Sequence, residues 1–479
     1  MPIDLRMTEA SWHRLRELFK PSFRSGRCPE TGAIGILGEC RAGVRHEFLV
    51  VKLFEPGPGD LKIAAHDHLI FDSSYIRRAH LEMRRNRLAG LVFFHTHPLA
   101  DAEVGFSLYD NREEPLLVEN LQELEPATRV VSVVVGKTSQ RGRLWLNPGS
   151  RQDLARLIVV GETLSYWLLD GRPASPAPTP AALFDRGLAL TGAGALAVLA
   201  GLTVAVIGAS GTGSLICELL ARAGCRHIVL IDDDVIKIIN LNRILYATQE
   251  DVDKGTPKVE VIRRGIEGLG LDCRVEAVKG NVLDRAVLAR LREADFLIGC
   301  VDKGFPRQLL CEFAYRYHRP YIDIGSEIGG DEKGIVSLDA RTSYIAPGRP
   351  CLQCAGVVTS RQLHFESLSA PERERVRAQG YSDDLVMDQP AVMDLNMRAA
   401  SNGMMVVRHL LQPFLLTPLP VMILENMVTY SVKAIREPRA LNPKCPACQA
   451  NRRAGYGDCA SALGLDEAAV LAITGNHPQ

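Results

Sequence analysis

Apolar and charged positions in the first third of the chain follow two different rhythms. Residues 9–20 mix them at helical spacing, which predicts an amphipathic helix, and residues 75–89 repeat that rhythm with arginines on the polar side. Residues 47–54 (EFLVVKLF), 91–94 (LVFF) and 130–136 (VVSVVVG) are short β-rich runs that predict strands. Residues 151–169 read as a helix. They lead into the stretch 170–182, DGRPASPAPTPAA, whose prolines can continue neither a helix nor a sheet interior. A boundary is therefore expected there, with residues 1–169 as an N-terminal α+β domain, 170–182 as a linker and 183–479 as a C-terminal domain.

Past the linker, strand candidates fall at 204–207, 227–231, 295–300, 321–324 and 334–338, with helical patterns between several of them. That alternation predicts an α/β fold, a largely parallel Rossmann-like sheet with helices on both faces. Residues 361–385 are charged and aperiodic and are expected to form a long mobile loop. Residues 187–217 carry no charged side chain and are long enough to span a bilayer, but glycines interrupt them throughout. They read as a short helix, a buried strand and a glycine loop, so no membrane association is expected.

Composition narrows the choice. Lys+Arg and Asp+Glu both total 56, so no bulk field draws the chain to nucleic acid or an anionic membrane. Twelve cysteines in 479 residues are too sparse for a disulfide scaffold, and four of them form two Cys-x-x-Cys pairs, which points to metal in a reducing compartment. The charged N-terminus has no apolar core of signal-peptide type, which predicts a cytoplasmic protein.

The segment 91–110, LVFFHTHPLADAEVGFSLYD, places His95 and His97 two apart at the end of an apolar strand, where both imidazoles face one side. Asp110 adds a carboxylate. Two histidines, one carboxylate and an open fourth position make a catalytic zinc set. With Ser107-x-x-Asp110, the segment resembles the JAB/MPN (JAMM) zinc metallopeptidases, whose pattern is Glu…His-x-His-Pro…Ser-x-x-Asp, over about residues 1–150. The resemblance implies cleavage of peptide or isopeptide bonds beside the C-terminus of a ubiquitin-like protein. His95, His97 and Asp110 would hold zinc, and Ser107 would stabilise the oxyanion. Glu30, in PETGAIGILG, would act as general base, with Glu39 as the rival.

In VAVIGASGTG, a buried strand runs into Gly208, Gly211 and Gly213 ahead of a helical pattern. Glycines let backbone amides approach phosphate, and the next strand ends in Asp232, where a ribose-hydroxyl acceptor is usual. The spacing is G-x-x-G-x-G, not the dehydrogenase G-x-G-x-x-G. Transfer of an adenylyl group needs cations on the phosphates, a metal-binding acid and an acid on the ribose, and Arg243, Lys258, Asp302 and Asp232 supply them. The order NLNR, PKVE and CVD after a glycine loop resembles the ThiF/MoeB/ubiquitin-activating superfamily over roughly residues 183–450. That resemblance implies adenylation of the C-terminal glycine carboxylate of a ubiquitin-like protein with ATP and Mg2+. It assigns the three glycines to the nucleotide loop, Asp232 with Asp234 to the ribose side, and Asn240, Arg243 and Lys258 to the phosphates. Asp302 binds magnesium or orients the nucleotide, and Arg186 matches an arginine supplied across a dimer interface, which implies a homodimer.

Cys351, Cys354, Cys445 and Cys448 fit a closed, structural zinc site that pins the ends of a crossover segment. Many members of the superfamily pass the activated carrier to a cysteine in that segment, but residues 355–444 contain none. Three solutions stand: Cys459 in the glycine-rich tail GYGDCASA, which is expected to be accessible; direct transfer to another protein, such as a conjugating enzyme; or Cys300 or Cys311, which are expected in the core.

Together the two resemblances imply an activating enzyme fused to a deconjugating zinc peptidase that meets the same glycine tail, and by resemblance such fusions belong to bacterial ubiquitin-like conjugation systems with an antiphage role. The alternatives are a sulfur-carrier adenylyltransferase, a non-catalytic scaffold and an NAD-dependent oxidoreductase.

Overall fold

The computed structural model describes residues 2–24, 28–100, 103–171, 182–331, 334–378, 391–436, 445 and 453–460. The chain divides into two compact units: residues 1–176 with 316–318 and 453–461, and the remainder.

The first unit is built on a nine-stranded mixed sheet, in the order β11-β10-β1-β3-β2-β6-β7-β8-β9. Its elements are β1 (Ile3–Thr8), α1 (Glu9–Phe19), β2 (Gly32–Ala42), β3 (Arg45–Phe54), the small hairpin β4 (Leu61–Ala64) and β5 (Leu69–Phe71), α2 (Ser73–Arg85), β6 (Gly90–Thr96), α3 (Leu108–Leu124), β7 (Arg129–Val135), β8 (Gln140–Asn147), β9 (Ser150–Asp153), β10 (Arg156–Val160) and β11 (Leu164–Leu168). Because strand side chains alternate, one sheet feeds two cores. Val92 and Phe94 of β6 join Leu15 and Phe19 of α1, whereas Leu91 and Phe93 join Tyr75, Ala79 and Met83 of α2 and Val118 and Leu121 of α3. The helix expected over 151–169 is instead three strands. β10 pairs in parallel with β1, which sends Leu157 and Val159 into the α1-side core, and Gly161 to Thr163 turn the chain back into β11. A neighbour remote in sequence decided the conformation there.

In the second unit an eight-stranded sheet runs β14-β13-β12-β15-β16-β17-β18-β19. The strands are β12 (Thr203–Ile207), β13 (His227–Asp232), β14 (Arg274–Lys279), β15 (Phe296–Gly299), β16 (Tyr321–Asp331), β17 (Gly334–Ile345), β18 (Met422–Asn426) and β19 (Ser431–Ile435). The first five in this order pair in parallel and the last three antiparallel, so the sheet is mixed rather than parallel throughout. Its helices are α4 (Asp185–Gly201), α5 (Gly211–Arg222), α6 (Gln249–Lys254), α7 (Lys258–Glu267), α8 (Arg285–Leu291), α9 (Gly304–Arg316), α10 (Ser360–Ser367), α11 (Ala370–Ala378) and α12 (Met393–Leu411). β12 and β15 are buried along their whole length, as strands covered on both faces are.

The loop expected over 361–385 begins with two helices. Thr359 caps α10 by accepting a hydrogen bond from the Gln362 amide, and α11 follows after Leu368 and Ser369. Residues 379–385, like the linker residues 172–181, lie outside the described residues. Among the described residues no helix is long and apolar enough to cross a membrane.

Candidate functional site

β6 in the first unit delivers His95, and His97 follows immediately after its end, where its backbone amide donates to Val135 of β7. Asp110 comes from the first turn of α3. Ser107 starts that helix with a reciprocal cap: its hydroxyl accepts from the Asp110 amide, while its own N–H and O–H donate to Asp110 Oδ2 at 2.6 and 2.8 Å. The hydroxyl proton of Ser107 is thus committed to Asp110.

Three ligand atoms converge. His95 Nε2 lies 3.2 Å from His97 Nε2 and 3.2 Å from Asp110 Oδ1, and His97 Nε2 lies 3.3 Å from Asp110 Oδ2. Donors about 2.0–2.1 Å from a tetrahedral ion stand about 3.3 Å apart, so the set fits zinc in spacing and in chemistry. Burial alone would raise the Asp110 carboxyl. Hydrogen bonds and charge from His95 and His97 outweigh that and hold it well below the usual carboxylate range.

Glu30, just before β2, puts Oε1 3.9 Å from His97 Nε2, and burial pushes its carboxyl up to about 7. Glu39 is engaged elsewhere: its Oε1 accepts from Arg41 at 2.7 Å and pairs with His46 at 2.7 Å. The geometry sets Glu30 beside the histidine pair and occupies Glu39 with other partners.

Cys351 and Cys445 lie in the second unit with sulfurs 3.7 Å apart, and Cys354 joins them within 4.8 Å. Sulfurs about 2.3 Å from a tetrahedral zinc are about 3.8 Å apart, so the Cys351–Cys445 spacing also fits a zinc ion. Cys448 lies outside the described residues.

The nucleotide constellation is assembled at the carboxyl ends of β12, β13 and β15. Gly208 has φ +101°, a left-handed conformation that favours glycine, and a β-carbon there would stand 2.5 Å from the Cys300 carbonyl at the end of β15. Asp302, two residues further on, is exposed. Asp232 accepts from the Ala209 amide at 2.7 Å and the Asp234 amide at 2.9 Å, which fixes it against the glycine turn. Burial raises its carboxyl above the usual range. Lys258, at the start of α7, reaches Asp234 Oδ2 at 2.6 Å and lies 3.8 Å from Asp232 Oδ1. The charge and hydrogen bond of Lys258 overcome the opposing effect of burial and lower Asp234.

Asn240 is buried and accepts from the Lys237 amide, closing the short turn that precedes Arg243. The Arg243 side chain lies beside Gly211, since a β-carbon on that glycine would be 3.4 Å from Arg243 Cδ. Ser214 ties the two segments together: its hydroxyl donates to Gly211 O and accepts from the Leu245 amide. Arg186 is exposed on the first turn of α4.

Cys459 departs from expectation. It belongs to the first unit and packs half-buried against the α2/α3-side core, and the Asp458 amide beside it donates to Glu39 O of β2. Burial raises its thiol above the ordinary value, so it is neither freely accessible nor activated. Cys300 and Cys311 are buried, and burial raises Cys300 far above a reactive range.

Against known families, residues 184–449 match the model of the ThiF family, more than half of the chain. The chain belongs to the ThiF family. Among curated relatives, tRNA threonylcarbamoyladenosine dehydratase 2 of Saccharomyces cerevisiae is 35% identical over 27% of this chain and 29% of its own length. The SAMP-activating enzyme E1 of Haloferax volcanii is 29% identical over 32% of this chain and 52% of its own. Ubiquitin-like modifier-activating enzyme 5 of Caenorhabditis briggsae is 29% identical over 35% of this chain and 41% of its own. The chain thus spans about a third to a half of the relatives it matches.

One residue of the ThiF region escaped the sequence reading. Asn396 of α12 is buried, lies against Gly211, and accepts from Thr212 at 3.3 Å and Ser326 at 2.7 Å. It joins the glycine turn to β16. A single asparagine in an amphipathic helix carries no local signal of that role.

Proposed function

We propose that the ThiF region adenylates the C-terminal glycine carboxylate of a ubiquitin-like protein. A carboxylate oxygen attacks the α-phosphorus of ATP, an acyl–phosphate bond forms, the bond to the bridging oxygen breaks and pyrophosphate leaves. Arg243 and Lys258 would offset charge on the phosphates, Asp302 would hold the magnesium that shields them, and Asp232 would accept from the ribose hydroxyls. Arg186 of a second copy completes the site in a cytoplasmic homodimer. Supporting this reading most strongly is the convergence of Arg243, Asp232 and Lys258 on one glycine turn within a ThiF-family region.

The N-terminal unit is, in this reading, a JAMM-type peptidase that cuts beside the same glycine terminus. Zinc held by His95, His97 and Asp110 would supply an acidified water and polarise the scissile carbonyl. Glu30, with its carboxyl near 7, takes the water's proton and returns it to the leaving amine. With Cys459 packed and Cys300 and Cys311 buried, the adenylate passes directly to a thiol or amine of another protein, in a bacterial conjugation system with an antiphage role.

The test is ATP–pyrophosphate exchange with small ubiquitin-fold proteins ending in glycine. Exchange that appears only with such a carrier and vanishes in Asp302→Ala supports the reading. Exchange driven by a tRNA-borne carboxylate instead would favour the activity named for the yeast relative, and absence of exchange with every carrier overturns the proposal.

A further inference from the structure

Asp323 on β16 is fully buried and faces two cations. Arg341 of β17 donates to its Oδ2 at 3.1 Å, and Arg307 of α9 places Nε 3.3 Å from its Oδ1. The Tyr321 hydroxyl donates to Oδ1 at 2.9 Å, and burial keeps that phenol neutral. Two guanidinium groups, 11% and 17% exposed, thus share one buried carboxylate, with Asp302 and Glu366 adding negative charge near Arg307 and Glu327 near Arg341. The Nε of Arg341 is buried with no hydrogen-bond partner. A buried donor left without a partner costs free energy that an incoming acceptor recovers. Burial and the neighbouring Arg307 push Arg341 down to about 10.

Glu366 on α10 is bound to the Gly304 and Phe305 amides and to Gln362, and Glu327 is exposed to solvent. Both arginines also bring an outer nitrogen over Gly325, where a β-carbon would stand 2.8 Å from Arg341 Nη2, the atom that donates to Asp323, and 3.1 Å from Arg307 Nη2. A glycine here lets the guanidinium ends reach the strand surface.

This point sits beside the nucleotide turn. Asn396 bridges Thr212, next to Gly211, to Ser326, next to Gly325. β12, β15 and β16 are consecutive in the sheet, so the glycine turn, Asp302 and Gly325 follow one another along its carboxyl edge, where open α/β sheets take their ligands.

We propose that Arg307 and Arg341, converging over Gly325, receive the free C-terminal carboxylate of the polypeptide substrate and hold it for attack on the α-phosphorus. The inference rests on the adenylation reading. It adds the subsite that distinguishes a free carboxylate from an amide or an extended chain. No new bond-breaking step is involved: the carboxylate enters as an anion, and its oxygen becomes the bridging atom of the acyl adenylate as pyrophosphate departs.

The test measures carrier-dependent ATP–pyrophosphate exchange for wild type, Arg341→Gln, Arg307→Lys and Gly325→Ala. The carrier is a ubiquitin-fold protein ending in Gly-Gly, supplied as the free acid and as the C-terminal amide. Binding of a non-hydrolysable ATP analogue is measured on each variant to verify that its nucleotide site is intact. The expected result is a KM for the free-acid carrier raised about tenfold or more in Arg341→Gln and Gly325→Ala, with affinity for the ATP analogue within about twofold of wild type. In wild type the amide carrier neither exchanges nor competes. Arg307→Lys keeps the charge but loses the planar fork, and lies between. An unchanged carrier KM in Arg341→Gln and Gly325→Ala, alongside active wild type, overturns this inference alone. Absence of exchange in wild type overturns the adenylation reading and this inference with it. A variant that loses both carrier exchange and ATP-analogue binding points to a structural role for the cluster and counts against the subsite.

Discussion

Gly213 sits so close to Gly208 that a β-carbon on Gly213 would fall 1.8 Å from the Gly208 carbonyl oxygen. The glycine turn and the first turn of α5 are therefore in backbone-to-backbone contact, and any side chain at this position must push them apart. Gly213→Ala is expected to destabilise the second unit by about 1–3 kcal/mol, as overpacked sites do. It should also abolish ATP-analogue binding by calorimetry. Wild-type affinity in Gly213→Ala would show that the turn does not cradle the nucleotide.

The two ligand clusters predict separable metals. Purified protein should carry two zinc equivalents by elemental analysis. His97→Ala should lose one and Cys351→Ser the other, and only the second substitution should lower the melting temperature of the ThiF region, because closed thiolate sites contribute folding energy. Zinc content that is unchanged in His97→Ala contradicts the N-terminal site.

Glu30 stands beside the ligand set, 3.9 Å from His97, without joining it. Glu30→Gln is expected to keep its zinc and its fold while cleavage of a ubiquitin-fold fusion, extended past its terminal glycine, falls about 10²–10⁴-fold. Glu39→Gln, which alters a carboxylate held by Arg41 and His46, should leave cleavage near wild type. The reverse ranking would exchange their roles.

Asp251 gives a pH signature of stability. A paired hydrogen bond from Arg264, at 2.9 and 3.0 Å, outweighs burial, and together with the Thr248 cap it holds the carboxyl well below its ordinary value. A carboxyl depressed on folding contributes stability that is present above its unfolded pKa, about 3.9, and lost as pH falls through the folded value. Asp251→Asn should cost about 1–3 kcal/mol in urea unfolding at pH 7, and the gap to wild type should narrow below about pH 4. A gap that is constant with pH would assign the effect to the helix cap alone.

How much was legible in the sequence depended on whether the deciding partner was local. His95 and His97 could be placed on one face because strand geometry fixes residues two apart. The glycine turn and Asp232 could be read because their spacing is short-range and chemical. The strands over 150–168 could not, since β10 joins the sheet through its parallel pairing with β1, some 150 residues earlier. α10 was missed although Thr359 is a good cap, because its charged residues mask the few apolar positions that set its face. Cys459 read as a free tail thiol because nothing near it in sequence announces its packing beside β2. Asn396 and the Arg307–Arg341 pair were invisible for the same reason, since each acts only through contacts that the fold creates.

In the proposed reaction, the turn at Gly208 to Gly213 brings ATP to a carboxylate. Intact-mass measurement of a glycine-ending carrier after incubation with enzyme, ATP and magnesium tests it most directly. The expected product is a carrier heavier by one AMP moiety, formed by wild type, reversed by added pyrophosphate, and missing with Arg243→Ala or with a carrier that ends in an amide. A carrier that stays unmodified under wild-type enzyme, while the same enzyme binds ATP, would contradict it.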